Sequence, residues 1–183
     1  MSIKTFTANS VLTAADTNTY LANSGLVYVT SATVGTAVAS ATVSSAFNST
    51  YDAYQIIYSG GIMSGDTAIG LQLGATVTGY YGSYVYGSYG STAVAGANDN
   101  NNTKFSYIGG GDPYNGATAV FTLNNPFLTK QTYVGAIGVA YSSNVGIYTG
   151  RLANSTSYTA FTIGPVSGTF TGGTITVYGY RKA

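Results

Sequence analysis

From position 26 to the end of the chain, apolar and polar residues follow a period of two. In the first such run, Val27 and Val29 alternate with Tyr28 and Thr30. This period places successive side chains on opposite faces of a β-strand. The pattern predicts about nine short strands, at residues 26–31, 37–44, 51–58, 67–73, 103–108, 117–123, 133–141, 158–163 and 174–180.

The segments between these runs have the composition of turns. They are rich in Gly, Asn, Ser and Pro, and they lie at residues 59–61, 109–113, 124–126, 142–144 and 172–173. Many short strands joined by turns, without a helical pattern between them, indicate an antiparallel all-β sandwich or barrel. We expect a jelly-roll-like β-sandwich made of two four-stranded sheets.

The first 25 residues differ from the rest of the chain. Thr13 can cap a helix whose third residue is Asp16, and Gly25 stands where a left-handed C-terminal cap is expected. A helix of two to three turns is too short to be stable alone, so it packs either on a partner or on the domain itself. We expect an attachment segment over residues 1–25 and a folded domain over residues 26–183, with these apolar attachment residues: Phe6, Leu12, Tyr20 and Leu21.

A Tyr-rich and Gly-rich segment over residues 79–102 stands apart from the predicted strands. Its tyrosines are Tyr80, Tyr81, Tyr84, Tyr86 and Tyr89, and it ends in an Asn/Asp tract at 98–102. Because glycines weaken a central strand, we expect an exposed hairpin or long loop that leaves the sandwich. Tyr84 and Tyr86 would share one face at the centre of a contact. The rings suit a neighbouring subunit, a glycan or their own sheet, since a phenol offers both a flat apolar face and a hydroxyl.

The charge content excludes several classes of function. Six Lys and Arg stand against five Asp, there is no Glu, and charged residues are 6% of the chain, against about 25% in an ordinary soluble domain. Scattered cations cannot supply the basic cluster that nucleic-acid binding requires. The chain also lacks Cys and His, which removes thiolate and imidazole metal sites, Cys nucleophiles and His-based triads.

The remaining candidates for chemistry are weak. The five Asp are far apart in sequence, so no pair of carboxylates for acid–base catalysis is indicated. Asp99 lies among Asn residues but lacks the spacing of a calcium loop, and an ordinary solvated loop tip is the simpler interpretation. We therefore expect no enzymatic activity, no cofactor and no metal site.

Hydropathy and polar composition bear on where the protein functions. No window approaches 18 apolar residues, so no membrane span is expected, and the first ten residues lack the apolar run of a secretory signal. The chain has 27 Thr, 19 Ser and 13 Asn, whose uncharged side chains make a surface insensitive to pH and salt.

With 45% hydrophobic residues, a monomer would expose uncharged patches, which predicts a homo-oligomer.

Four passages of the chain carry motifs that are found in a known group of proteins. Residues 6–21, FTANSVLTAADTNTYL, are similar to the F-x-A-G-x-x-L-T-A-A-x-x-N start common in structural proteins of tailed bacteriophages, especially those of environmental and cyanobacterial phages. The similarity continues in FNSTYDAY at 47–54, NNPF at 124–127 and TITVYGYR at 174–181. It extends from position 6 to position 181, apart from the Tyr-rich segment.

The resemblance implies a virion protein, either a tail-fibre or appendage component or a capsid-decorating protein. It also implies an oligomer, often a trimer, without catalysis or cofactor. Other virion proteins would be contacted through the N-terminal segment. The alternative is a carbohydrate-binding adhesin module for host attachment, which would use the Tyr-rich loop to bind a host surface glycan.

Overall fold

The computed structural model describes residues 11, 13–16, 25–141 and 143–182. This part of the chain contains one short helix, α1 (Ala14–Asp16), and twelve strands. The strands are β1 (Leu26–Thr33), β2 (Ala41–Val43), β3 (Tyr51–Met63), β4 (Thr67–Leu73), β5 (Tyr80–Ser88), β6 (Val94–Asn102), β7 (Phe105–Asp112), β8 (Gly116–Asn124), β9 (Thr132–Tyr141), β10 (Asn144–Leu152), β11 (Phe161–Pro165) and β12 (Phe170–Arg181).

The described strands pair antiparallel in one sheet that divides at β8. The first half of β8 pairs with β7 and the second half with β9, while the other edge of β8 pairs with β3. The long arm of the sheet has the order β1-β12-β3-β8-β9-β10-β5-β6. The short arm has the order β2-β11-β4-β7.

The two arms pack face to face around one core. The ring of Phe121 in β8 lies 6.4 Å from that of Phe161 in β11, and the ring of Tyr80 in β5 lies 4.8 Å from that of Phe105 in β7. The predicted antiparallel all-β sandwich is thus confirmed. The described strands divide into eight and four rather than four and four, because the hairpins β9–β10 and β5–β6 extend the long arm.

Strand β8 shows how the alternating pattern builds the core. Ala117, Ala119, Phe121 and Leu123 are buried, whereas the residues between them lie on the outer face. Because the side-chain period of a strand is two, a shift of one residue would move this whole set out of the core. The register of β8 is therefore fixed by burial of its inner face.

Three glycine clusters predicted as turns lie inside strands. Residues 109–111 belong to β7, and a Cβ on Gly110 would lie 2.2 Å from the carbonyl oxygen of Ala140. Residues 59–61 and 172–173 lie in β3 and β12, where Gly60 and Gly173 have φ of +81° and +86°. At Gly110 the missing side chain lets two backbones approach closely, and at Gly60 and Gly173 the positive φ bends the paired strands. These glycines therefore do not mark turns.

Other boundaries also differ from the prediction. Only Ala41–Val43 of the predicted strand 37–44 forms a strand, and the predicted strand 158–163 begins at Phe161. Strand β10 was not predicted at all. It carries apolar residues on its outer face, with glycine at inner positions, so its inward and outward sides are hard to distinguish in the sequence.

The N-terminal prediction is only partly within the described residues. Ala14–Asp16 is helical, and Gly25 has φ of +87°, as a left-handed cap requires. The proposed attachment residues Phe6, Leu12, Tyr20 and Leu21 lie outside the described residues. Among the residues that are described, no helix has the length and apolar character needed to span a membrane.

Candidate functional site

The Tyr-rich segment forms the hairpin β5–β6 at the end of the long arm. The segment is a hairpin rather than a long loop, but the expectation that its tyrosines are exposed is wrong for two of them. Tyr80 and Tyr84 are 0% and 2% exposed, whereas Tyr89 at the hairpin tip is 69% exposed. Tyr81 and Tyr86 are half-buried. The segment therefore contributes to the core as well as to the surface.

Hydrogen bonds explain why these two phenols can be buried. The Tyr80 hydroxyl accepts a bond from the Leu73 backbone N–H at 2.8 Å and donates to the Thr76 carbonyl at 3.2 Å. The Tyr84 hydroxyl donates to the Asn144 carbonyl at 3.3 Å. A buried phenol is costly only when its hydroxyl has no partner. Burial also raises the pKa of both groups, which keeps them protonated.

The rings of the hairpin stack inward toward β7. Tyr84 lies between Tyr86 at 4.9 Å and Tyr107 at 5.3 Å, both nearly parallel to it, and Tyr107 continues to Tyr148 at 5.9 Å. Tyr84 and Tyr86 thus share one face of β5, as predicted from their spacing. That face points into the sandwich, so these two rings join the hairpin to the core.

Asp99 in the Asn/Asp tract is buried rather than solvated, being 4% exposed. Its Oδ1 accepts hydrogen bonds from Asn102 Nδ2 at 2.7 Å and Ser106 Oγ at 2.6 Å. Its Oδ2 accepts from the Ser106 backbone N–H at 2.9 Å and from the Tyr148 hydroxyl at 2.6 Å. Four donors can hold a buried carboxylate in place. The expectation of an ordinary solvated loop tip is therefore wrong at Asp99.

Gly82 makes this arrangement possible. Gly82 pairs with Asp99 across the hairpin, and a Cβ on Gly82 would lie 2.2 Å from the Tyr148 hydroxyl. Tyr148 belongs to β10, so its side chain passes β5 at the glycine and reaches β6. Burial, followed by the bond to Asp99, raises the pKa of Tyr148, and the phenol stays a donor.

No group of three or more carboxylates, imidazoles or thiols forms a metal site among the described residues.

Tyr81 lies on the opposite face of β5 from these buried rings. The Arg151 guanidinium carbon lies 5.7 Å from the centre of the Tyr81 ring. This is a cation–π contact of the surface type. It joins β10 to β5 on the outer face, away from the core.

A cleft of about 660 Å³ lies beside Tyr89. Its other walls are the glycine kink of β3 at 59–61 and the β7–β8 hairpin at 112–116, with Thr118 and Val139 beside them. The cleft has the size of a small-molecule site. Among the five predicted site tyrosines, Tyr89 lines the cleft, whereas the other four do not.

Asp112 forms the corner of this cleft. Its Oδ1 accepts hydrogen bonds from the backbone N–H groups of Tyr114 and Asn115, both at 2.7 Å, and its Oδ2 accepts from Asn115 Nδ2 at 2.8 Å. The bonds from the Asn115 side chain and from the two backbone groups hold the pKa of Asp112 below its usual value. The cleft therefore carries a carboxylate, and none of the described residues that line it is a cation.

The outer face of the long arm carries a row of exposed aliphatic side chains that sequence reasoning missed. Val120, Ile137, Ile147 and Val85 come from β8, β9, β10 and β5 and are 41%, 75%, 54% and 52% exposed. Ile137 pairs with Ile147 and Ile147 with Val85, and the pairing of β8 with β9 places Val120 beside Ile137. We call these four residues the apolar row. The sequence did contain a signal for this row, because apolar residues occupy both the inward-facing and the outward-facing positions of β9 and β10.

The residues next to the apolar row are small. Thr122, Gly135, Thr149 and Ser83 are paired across the same four strands, two residues along each strand from the apolar row. We call these the small-residue row. A hollow of about 330 Å³ at Gly135 is flanked by apolar side chains of the first row, including Ile137 and Ile147.

Comparisons of this chain with protein-family models, with curated proteins and with solved structures find no match. The function is therefore inferred from the chain's own geometry.

Proposed function

We propose that the protein is a non-enzymatic structural component of a bacteriophage particle. It is a tail-fibre or appendage component, or a capsid-decorating protein, that assembles as an oligomer on the virion surface. The observation that supports this most is the apolar row, whose residues come from four neighbouring strands and face away from the core. The resemblance of the sequence to phage structural proteins gives the biological setting.

An exposed aliphatic row is unusual for the solvent side of an antiparallel sheet. One face of such a sheet normally packs on the core and the other is polar. Full burial of one Val or Ile side chain stabilises by about 1.5–3 kcal/mol, so a partner that covers the row gains several such contributions. Exposed apolar patches with polar surroundings usually mark interaction sites. The row therefore favours a protein that functions in an assembly.

The rest of the surface suits a particle outside the cell. Charged residues are 6% of the chain, and Thr, Ser and Asn supply most of the polar groups. Such a surface keeps its interactions when pH or salt changes, because few of its contacts depend on charge. The resemblance further implies that residues 1–25 join the protein to other virion proteins and that the oligomer is a trimer.

An inventory of purified particles by quantitative mass spectrometry tests the proposal. A structural component is present at a fixed and high number of copies in every preparation, including particles washed in high salt. Absence from the particles, or a copy number that falls with each washing step, would contradict it.

Carbohydrate binding is the second candidate function, and the cleft beside Tyr89 favours it. The exposed Tyr89 ring can stack on a sugar ring, while backbone groups, Asn115 and Asp112 offer hydrogen-bond partners at the other wall. Because the described lining of the cleft contains a carboxylate and no cation, the cleft suits an uncharged sugar better than an anionic one.

A glycan array distinguishes this second candidate from the first. If the cleft binds a neutral oligosaccharide, Tyr89→Ala should remove binding, whereas Tyr28→Ala, which removes an exposed tyrosine of β1 outside the cleft, should not. Equal binding by the two variants would exclude the cleft, and no binding by the wild type would reject the candidate function.

A further inference from the structure

We propose that two copies of this chain pack against each other through the outer face of β3, β8, β9, β10 and β5, related by a two-fold axis. This inference rests on the proposed structural function, because it names the partner that covers the apolar row.

The area is adequate for a specific contact. Neighbouring strands lie about 4.8 Å apart, and each residue adds about 3.3 Å along a strand. Five strands with about nine residues each give a face of roughly 24 Å by 30 Å, or about 700 Å² per copy. A standard stable interface buries about 800 Å² per partner. The face is therefore close to the size that a dimer needs.

The face is complementary to itself along β9. Ile137 protrudes and is 75% exposed, whereas Gly135, two residues earlier on the same face, leaves the hollow of about 330 Å³. The two-fold axis lies in the plane between the facing sheets, runs across the strands at a right angle to β9 and passes above Ala136. Rotation about this axis places each Ile137 over the partner's Gly135. A protrusion and a hollow related in this way make an isologous contact.

The neighbouring strands obey the same relation. The axis that brings Ile137 over Gly135 also brings the whole apolar row over the partner's small-residue row, since both rows are paired across the same four strands. Large side chains over small ones let two sheets interdigitate at the usual distance of about 10 Å. The match thus extends over the row and is not limited to one side chain.

Charge does not oppose such a pair. Strands β8 and β9, which form the centre of the face, contain no charged residue. Arg151 lies at one end of the face, where it packs on Tyr81. Two copies can therefore approach without like-charge repulsion at the centre. The resemblance implies a trimer, but the geometry of this face favours a pair.

Sedimentation equilibrium of the purified full chain over a dilution series tests the proposal. The wild type should approach about 37 kDa, twice the 18.7 kDa of one chain. Ile137→Lys places a charge in the contact, and Gly135→Val fills the hollow. The Gly135 change is compatible with the fold because its Cβ meets only Thr122 Oγ1, at 3.4 Å. Each should weaken association at least tenfold, while Val77→Lys, a 55% exposed valine outside the face, should not.

Other results would overturn the inference. The wild type contradicts it if it stays at 18.7 kDa at every concentration or if it forms a trimer. The variants contradict it if either face variant associates as well as the wild type, or if Val77→Lys weakens association as much as they do. Circular dichroism checks that each variant is folded, and Gly135→Val serves if Ile137→Lys does not fold. The inventory of particles is independent of this experiment, so the pair can fail while the proposed function stands.

Discussion

At the scale of single residues, Gly82 shows how a missing side chain determines a contact between strands. It lets the Tyr148 hydroxyl reach Asp99 at 2.6 Å on the far strand of the hairpin. The carboxylate is satisfied by neutral donors and does not require a cation. The sequence contains these residues, but nothing in their spacing relates positions 82, 99 and 148, because the relation depends on strand order.

Gly82→Ala should lower the free energy of unfolding by roughly 2–4 kcal/mol, from overpacking and from the strained bond to a charged group. Gly87→Ala on the same strand is the control, since a Cβ there has nothing within 4 Å. Urea denaturation followed by circular dichroism measures both. Similar midpoints for the two variants would contradict the role assigned to Gly82.

The buried phenols predict a loss of stability in alkali. Burial raises the pKa of Tyr58 to about 12 from an ordinary value of 10.0. The folded state therefore holds this proton more tightly than the unfolded chain does. The contribution of Tyr58 to the free energy of unfolding is complete below pH 10 and is lost as pH rises toward 12. Urea midpoints measured over this range should fall with pH. The fall should be smaller in Tyr58→Phe, and an equal fall would assign the effect to other groups.

At the scale of elements, the hairpin β5–β6 combines a buried and an exposed side. Its glycines led to the expectation of a loop outside the core, yet Tyr84 is buried and hydrogen-bonded to Asn144. The strands themselves follow from the period-two pattern. Which tyrosines face inward does not, because both faces of β5 carry aromatic residues and the inner side is set by the packing of β7.

The placement of these rings determines the expected effect of substituting Tyr84 and Tyr86. Tyr84→Ser should lower the free energy of unfolding by about 3–5 kcal/mol, as for a large core residue. Tyr86→Ser should cost about 1 kcal/mol through its lost stacking, and Tyr89→Ser, at an exposed position, should be nearly neutral. Denaturant titration of the three variants gives the order. If Tyr84→Ser is as mild as Tyr89→Ser, the hairpin does not belong to the core.

At the scale of the whole molecule, the predictable part was the class of the fold. Alternating residues and the scarcity of charge indicate an antiparallel sandwich. They do not indicate that β8 pairs with β7 over one half and β9 over the other, since this division depends on the close approach of Gly110 in β7 to Ala140 in β9. The apolar row could not be predicted either, because its four residues become neighbours only when four strands pair in the observed register.

The proposed division into an attachment segment (residues 1–25) and a domain (residues 26–183) predicts that a chain beginning at Leu26 folds. The buried hydrophobic core of the described residues starts at Val34 and is contributed by the strands and loops that follow. The shortened protein should show the same cooperative thermal transition as the full chain by circular dichroism, but it should not join particles. Unfolding of the shortened chain would show that the first 25 residues belong to the domain.

The copy number of this protein in purified particles, measured by quantitative mass spectrometry for the wild type and for Ile137→Lys, tests the central claim most directly. If the protein is a structural component that assembles through its outer face, the wild type is present at a fixed, high number per particle and Ile137→Lys at a much lower one. Particles that lack the wild-type protein, or that contain both forms equally, would contradict the account.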